Sequence, residues 1–196
     1  MNFKKIIIFL FFINLNNTFV YSIEPDIFVQ STVNRASQIL SKSISKADKI
    51  KELKSIAKET VDIKGVGLYS LGPSRKNLDD DQLKKYHDLF ENYFLKSFAS
   101  RLSEYTNPEI NVEGKEIINN NYTIVNSLLV ATKDRPEVKI DWRIYTKNPD
   151  NPLIRDLIIE GLSLARTQKE EFLSILSSND GDINALFKTL ENFSRN

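Results

Sequence analysis

The chain has 196 residues, with 27 lysines and arginines against 26 aspartates and glutamates, one histidine and no cysteine. No disulfide framework, thiol nucleophile or thiolate metal site can be built from this set, and one imidazole excludes the usual zinc ligand sets. A balance so close to neutral also argues against a nucleic-acid partner, which asks for a basic surface.

Lys4 and Lys5 precede an apolar run from Ile6 to Leu15 that only Asn14 interrupts, and Val20 and Ser22 fit the −3 and −1 positions of a cleavage site. That is the layout of a secretory signal peptide. The run is too short for a bilayer, which needs about 20 apolar residues. An uncleaved anchor is the alternative reading, and a lipoprotein is excluded because no cysteine follows. Residues 1–22 are therefore expected to be a signal peptide, and residues 23–196 one domain. Removing the leader leaves 25 basic residues against 26 acidic ones, a charge of about −1. A chain of that size can bury enough apolar surface to be stable without disulfides. No later run is long and apolar enough to span a membrane, so a soluble mature protein is expected.

Glu24–Ser45 reads as a first helix, with Pro25 near its start and Val29, Val33, Ala36, Leu40 and Ile44 at helical spacing. A second begins at about Lys46, with Ile50, Leu53, Ala57 and Val61 as its apolar stripe. Its wet face mixes Lys51, Lys54 and Lys58 with Glu52 and Glu59, which favours a packed helix over a membrane-surface one. Gly65, Gly67 and Gly72 follow, but no strand precedes them and their spacing fits neither phosphate-binding fingerprint. They read instead as places of close backbone packing, or as a helix end at Gly72 before Pro73.

Leu78–Tyr105 carries the clearest helix signals. Asp79 and Gln82 have capping-box spacing, and Leu78 with Leu83 can form the staple. Asp79, Asp80 and Asp81 suit the positive end of a helix dipole better than a calcium loop, which needs alternating ligands and a later glutamate. Leu83, Tyr86, Phe90, Phe94, Phe98, Leu102 and Tyr105 recur every three or four residues. Such a stripe is commonly core, and it is also what a lipid cavity would need. His87 lies beside it as the only imidazole base available to any hydroxyl. No Gly-x-Ser-x-Gly elbow exists for it to serve, and Ser163 stands in Gly161-Leu162-Ser163-Leu164. A helix-flank histidine is the better reading.

After Pro108 the period changes. Ile110–Ile118, Tyr122–Thr132, Glu137–Tyr145 and Leu153–Glu160 read as four strands joined by asparagine-, aspartate- and proline-bearing turns. Val138, Ile140, Trp142 and Ile144 alternate with Lys139, Asp141 and Arg143, giving one apolar and one wet face. On the last strand Leu157 and Ile159 lie opposite Asp156 and Glu160. Asp141 and Asp156 invite a glycosidase pair, but nothing brings them together, and exposed strand charges are the simpler account. Gly161-Leu162-Ser163 breaks the strand. Leu164, Phe172, Ile175 and Leu176 then fit an amphipathic helix, and Asp182 starts a short last one with Ile183, Leu186, Phe187 and Leu190 on one side.

Several of these runs together resemble a known family. They are Asp156-x-x-x-Glu160-Gly161-x-Ser163 with Phe172, the Gly181–Leu186 run, Gln82…Tyr86…Phe90…Leu95…Phe98-Ala99…Leu102…Tyr105, Asp62-Ile63…Leu71-Gly72, and Ile140-Asp141-Trp142-Arg143-Ile144. The chain resembles the MlaC family over nearly all of its mature length. Those proteins are soluble periplasmic phospholipid carriers of the Mla (maintenance of lipid asymmetry) pathway, also called toluene-tolerance auxiliary proteins. One departure is visible: Gln168-Lys169 stands where the family usually has Tyr-Arg.

Helices, then strands, then helices give an α+β order. A curved, mainly antiparallel four-stranded sheet is expected, with the helices over its concave face, and the resemblance implies an apolar cavity between them. Its walls would be Val66 and Leu71 in the glycine-bearing stretch, and Phe90, Phe94, Phe98 and Leu102 on the long helix. The strands would add Val125 and Leu129, then Ile140, Trp142 and Ile144, then Leu157 and Ile159. Acyl chains of about 30 methylenes in all cost roughly 20 kcal/mol or more in water, at ~0.8 kcal/mol each, so a carrier must match their environment. The resemblance further implies a monomer in the periplasm of a Gram-negative bacterium, with phospholipid as cargo and no cofactor. Its implied partners are an outer-membrane lipoprotein–porin complex and an inner-membrane ABC transporter with a lipid-binding ring. A non-lipid binding or adaptor module on a similar cone-shaped fold is the alternative function, and a periplasmic hydrolase, poor in bases, is a third.

Overall fold

Helical periodicity governs the first half of the chain. A computed structural model, which describes residues 22–195, resolves it into α1 (Pro25–Ser41), α2 (Lys46–Thr60), α3 (Ile63–Leu71) and α4 (Asp80–Leu102), with a 3₁₀ segment at Gly72–Asn77. Polar side chains set the boundaries. Ser45 accepts a hydrogen bond from the Asp48 amide and so starts α2, which is why α1 stops at Ser41 rather than running on to Ser45. Asp62 accepts from the Gly65 amide at 2.9 Å and starts α3. Gly72 ends α3 with φ +56°, a backbone that favours glycine, just before Pro73. The reciprocal capping box opens α4: the Gln82 amide donates to Asp79 at 2.7 Å, and the Asp79 amide donates to the Gln82 side chain at 3.1 Å.

The second half forms β1 (Ile110–Asn119), β2 (Tyr122–Leu129), β3 (Val138–Tyr145), β4 (Leu153–Ile159) and β5 (Leu162–Ser163), followed by α5 (Leu164–Ser177) and α6 (Ile183–Arg195). The sheet is open and antiparallel throughout, in the order β1-β2-β3-β4-β5. The class is α+β, as the element order indicated, with one strand more than the four expected. Glu160 (φ +49°) and Gly161 (φ +82°) take left-handed backbone together, the geometry of a two-residue hairpin turn, so the chain folds back into β5 instead of leaving the sheet.

A bulge decides what β4 presents to the core. Arg143 pairs with Asp156, but its neighbour Ile144 pairs with Ile154, leaving Arg155 as the extra residue. Ile154 therefore faces inward with Leu157 and Ile159, while Asp156 takes the opposite face, buried beneath the start of α5.

The inner face of β2 buries Thr123, Val125, Ser127 and Leu129 alternately, and β3 buries Ile140, Trp142 and Ile144. Helix α1 lies over β1 and β2, while α3 and α5 lie against β4; α4 packs on α2, α3 and α6. Val29, Val66, Tyr86, Phe90, Phe172, Leu186 and Leu190 join the strand residues in one apolar cluster. Ile39, Leu40, Leu53, Ile56 and Ala99 form a second where α1, α2 and α4 meet. Burying each such Leu or Ile side chain contributes about 1.5–3 kcal/mol, so the main cluster supplies most of the cohesion between layers.

Candidate functional site

The Asp156…Ser163 signature is a helix-start lock. Asp156, buried, accepts the Ser163 hydroxyl at 2.6 Å and the Ala165 amide at 2.9 Å, while Ser163 Oγ accepts the Arg166 amide at 3.0 Å. Glu160 steadies the preceding turn by accepting the Lys139 amide at 2.5 Å. The Ala165 and Arg166 amides, two of the orphan donors of the first turn of α5, are thereby satisfied. Asp141, outward on β3, accepts from Asn126 at 2.8 Å, so the two aspartates serve separate structural bonds. His87 faces elsewhere: it lines a 140 Å³ concavity with Ile63, Lys64, Asp88, Phe90 and Glu91. Burial, with help from the Lys64 charge, holds its imidazole below the ordinary value. Among the described residues no cluster of histidine and carboxylates has metal-site geometry.

The apolar candidates gather more closely. Val66, Leu71, Phe90, Val125, Leu129, Ile140, Trp142 and Ile144 are all buried in the main cluster, with Phe94, Phe98 and Leu157 half-buried against it. Two do not join them. Leu102 packs on the second cluster beside Ala36 and Ile50, because α4 has by then turned its apolar stripe toward α1 and α2. Ile159 is half-buried outside both clusters, paired with Leu162 at the overhanging end of the sheet, and Leu162 is 59% exposed. The other candidates pack in one cluster across the sheet and helices, while two concavities of about 320 and 140 Å³ open at the surface elsewhere, between α1 and α2 and beside His87.

The α4 aromatics form a ladder. Centroids lie 5.7 Å apart for Tyr86–Phe90, 6.2 Å for Phe90–Phe94 and 5.7 Å for Phe94–Phe98, the last pair nearly parallel at 10°. Phe172 of α5 meets Tyr86 and Phe90 edge-on. Tyr86 donates its hydroxyl to the Gly67 carbonyl at 2.9 Å, and burial pushes its pKa far up. On the facing sheet, Trp142 Nε1–H donates to Ser127 Oγ at 2.8 Å, and Ser127 donates to the Ile140 carbonyl at 2.9 Å.

Tyr86 and Phe172, expected on apolar helix faces, join this interior, as do Ile154, Ser127 and Thr123, which the sequence did not single out. Strict alternation from Val125 and Leu129 points to the two hydroxyl residues. Ile154 had no signal, since only the bulge turns it inward. Where the chain departs from the Tyr-Arg pattern, Gln168 accepts the Tyr93 hydroxyl at 2.8 Å, and Lys169 sits 5.2 Å from the Tyr69 ring centroid.

Polar ties join the layers at the two long sides. Arg155 pairs with Asp62 (2.6 and 2.7 Å), donates to the Tyr122 hydroxyl at 2.6 Å and lies 3.7 Å from the Tyr145 centroid. On the other side Lys115 pairs with Asp26 at 2.8 Å and with Glu24. Gln30 also bonds the free edge of β1, donating to the Ile110 carbonyl and accepting the Val112 amide.

A similar fold is found in the phospholipid-binding protein from Ralstonia solanacearum, solved in complex with a phospholipid. The TM-score is 0.74 at 17% identity, over 88% of this chain and 98% of that one. None of the curated proteins matches the chain. Residues 30–192, from the middle of α1 almost to the end of α6, match the MlaC protein family. With the helix-start lock, the aromatic ladder and the sheet all inside that span, the chain belongs to the MlaC family.

Proposed function

We propose that this protein is a phospholipid carrier, holding acyl chains between the inner face of the sheet and the apolar side chains of α3 and α4. The observation that carries the reading is the continuous apolar surface from Val66 and Phe90 to Val125, Trp142 and Ile144, with half-buried Phe94, Phe98 and Leu157 at its rim. Family membership and the phospholipid held by the similar Ralstonia protein support it. Each methylene moved from water into such an interior gains about 0.8 kcal/mol, while a charged head group left in water avoids a desolvation cost of several kcal/mol. Carriage of this kind uses no bond chemistry; the site residues serve as solvent for the chains.

In this reading the mature protein, freed of residues 1–22, works as a monomer in the periplasm. It takes lipid to or from an outer-membrane lipoprotein–porin complex and an inner-membrane ABC transporter with a lipid-binding ring. The test is to extract the purified protein with organic solvent and identify the extract by mass spectrometry. Near-stoichiometric phospholipid is expected. An empty extract, together with no uptake from vesicles, would favour a non-lipid binding module whose interior is filled by its own side chains.

A further inference from the structure

The aromatic side chains around the interior differ in how they are held. Tyr86 is fully buried and bonded to the Gly67 carbonyl, so turning it would strand a donor and an acceptor away from water. Phe90 is jammed. It lies between Tyr86 and Phe94, edge-on to Phe172, and over Gly67, where even a Cβ would sit 2.8 Å from its ring. Trp142 is tied to the sheet by its bond to Ser127, itself buried and bonded to the Ile140 carbonyl. Swinging the indole out would break into that chain and leave its N–H unpaired.

Phe94 and Phe98 lack the polar bonds that hold Tyr86 and Trp142. They are half-buried and lean on each other in a nearly parallel stack, with Phe94 also resting on Phe90 at 6.2 Å. The end of α4 beyond them is placed near the β2–β3 loop, where Arg135 lies 4.8 Å from the Tyr105 ring centroid. The ties between layers run along β4, through Asp62 and Arg155, and along β1, through Gln30, Asp26 and Lys115. Separating the layers breaks charged bonds, whereas turning two phenylalanines breaks only dispersion contacts. Resting on the carrier reading, we propose that acyl chains enter by displacing the Phe94–Phe98 pair, while Trp142, positioned by Ser127, stays fixed on the sheet as the floor over which they lie. Phe94 and Phe98 thereby govern the rate of uptake, and Trp142 the depth of the space.

Trp142 is the only tryptophan of the chain, so its fluorescence reports this one site. The experiment mixes delipidated full-length mature protein with phosphatidylglycerol vesicles brominated at mid-chain. It follows Trp142 quenching by stopped flow and the tryptophan band by near-ultraviolet circular dichroism. Quenching with an unchanged dichroism band is expected. Phe94→Leu and Phe98→Leu keep apolar volume but lose the stack, and should speed uptake by about 2- to 10-fold. Phe90→Leu should not. Ser127→Ala should alter the dichroism band and weaken quenching while the far-ultraviolet spectrum is unchanged, with Ser127→Thr restoring both. If Phe98→Leu does not fold, Phe98→Met takes its place. Unchanged uptake in both stack variants, or loss of the dichroism band as lipid binds, overturns the inference while leaving carriage intact. If lipid never leaves the vesicles and none is extracted, the carrier reading falls and this inference with it.

Discussion

Gly67→Ala sets two physical effects of opposite sign against each other. In an exposed helix the change should stabilise by about 1 kcal/mol, because alanine loses less backbone entropy. At this position the new methyl would lie 2.8 Å from Phe90 Cδ1 and 3.2 Å from two further ring carbons. Phe90 cannot step aside, with Tyr86 and Phe94 stacked on either side and Phe172 edge-on. Helix α3 must move off α4 instead, and that motion strains the bond from Tyr86 to the Gly67 carbonyl. Overpacking of this kind costs about 1–3 kcal/mol, and a stranded buried hydroxyl about 1–3 more if the bond breaks. The balance is a loss of about 2 kcal/mol, and for a domain of this size each kcal/mol moves Tm by about 2–4 °C, giving a fall of roughly 4–8 °C. Gly114→Ala on β1 is the control, since a Cβ there meets nothing within 4 Å. Thermal and urea melts of both variants check the argument. A Gly67→Ala protein as stable as the wild type, or more so, would show that α3 and α4 are not in close contact.

Asp156→Ala removes the acceptor of both the Ser163 hydroxyl and the Ala165 amide, and should cost about 2–3 kcal/mol in urea melts, with Asp156→Asn intermediate. His87 has a folded pKa lowered by burial, so below its ordinary value of 6.5 the unfolded chain takes up the proton first. Stability is therefore complete above that pH and declines as pH falls through about 6.5 toward the folded value; the urea midpoint should drop between about pH 7.5 and 5.5 in the wild type and less in His87→Phe. Equal slopes in the two proteins would count against a desolvated imidazole. His87→Ala should leave lipid transfer between vesicles unchanged, whereas a loss of several orders of magnitude with folding intact would revive a hydrolytic reading. N-terminal sequencing of protein recovered from the periplasm should begin at Ile23, and a start at Met1 would contradict cleavage after Ser22.

Much of this fold is legible because local signals and global packing agree. Asp79 and Gln82 announce α4 three residues apart, Gly72-Pro73 closes α3, and the alternation from Val138 to Ile144 sets the inner face of β3. The parts that were not legible depend on geometry without a residue-type signature. The bulge at Arg155 has no such mark, so Ile154 was missed and the inward face of β4 was only partly known. The Glu160-Gly161 turn reads as a simple break because its first residue is a glutamate in left-handed backbone, where asparagine or aspartate is more common. Leu102 shares the period of Phe94 and Phe98, and only the position of α2 assigns it to another cluster. Periodicity says which residues share a helix face; it does not say which neighbour that face meets. Apolar stripes on opposing elements likewise predict that walls exist, and leave open how far apart they stand.

The same polar bonds that look like chemistry in the sequence divide the structure into a stiff and a yielding part. Asp156 joins β4 to the start of α5 through Ser163 and Ala165, and α5 carries Phe172 to the rings of Tyr86 and Phe90. Asp62 starts α3, holds Arg155 of β4, and donates its amide to the Ile154 carbonyl at 2.9 Å, while Val61 pairs with Ile154 in parallel. Thus β4, α3, α5 and the first half of α4 are cross-linked by hydrogen bonds that are costly to break where they are buried. The second half of α4 is tied to α5 by the Tyr93–Gln168 bond and to α6 by Lys96, while toward α2 it has apolar packing and exposed pairs such as Lys58–Glu91 (2.7 Å). Exposed pairs of that kind contribute only about 0–1 kcal/mol each. Phe94 and Phe98 stand on that half, and Leu157 stands on β4, within the stiff part. All three are half-buried wall residues without polar side-chain bonds, so they mark a seam that apolar contact alone closes. A carrier needs both properties at once: a fixed surface that defines the space for its cargo, and a neighbour that gives way without unfolding the rest.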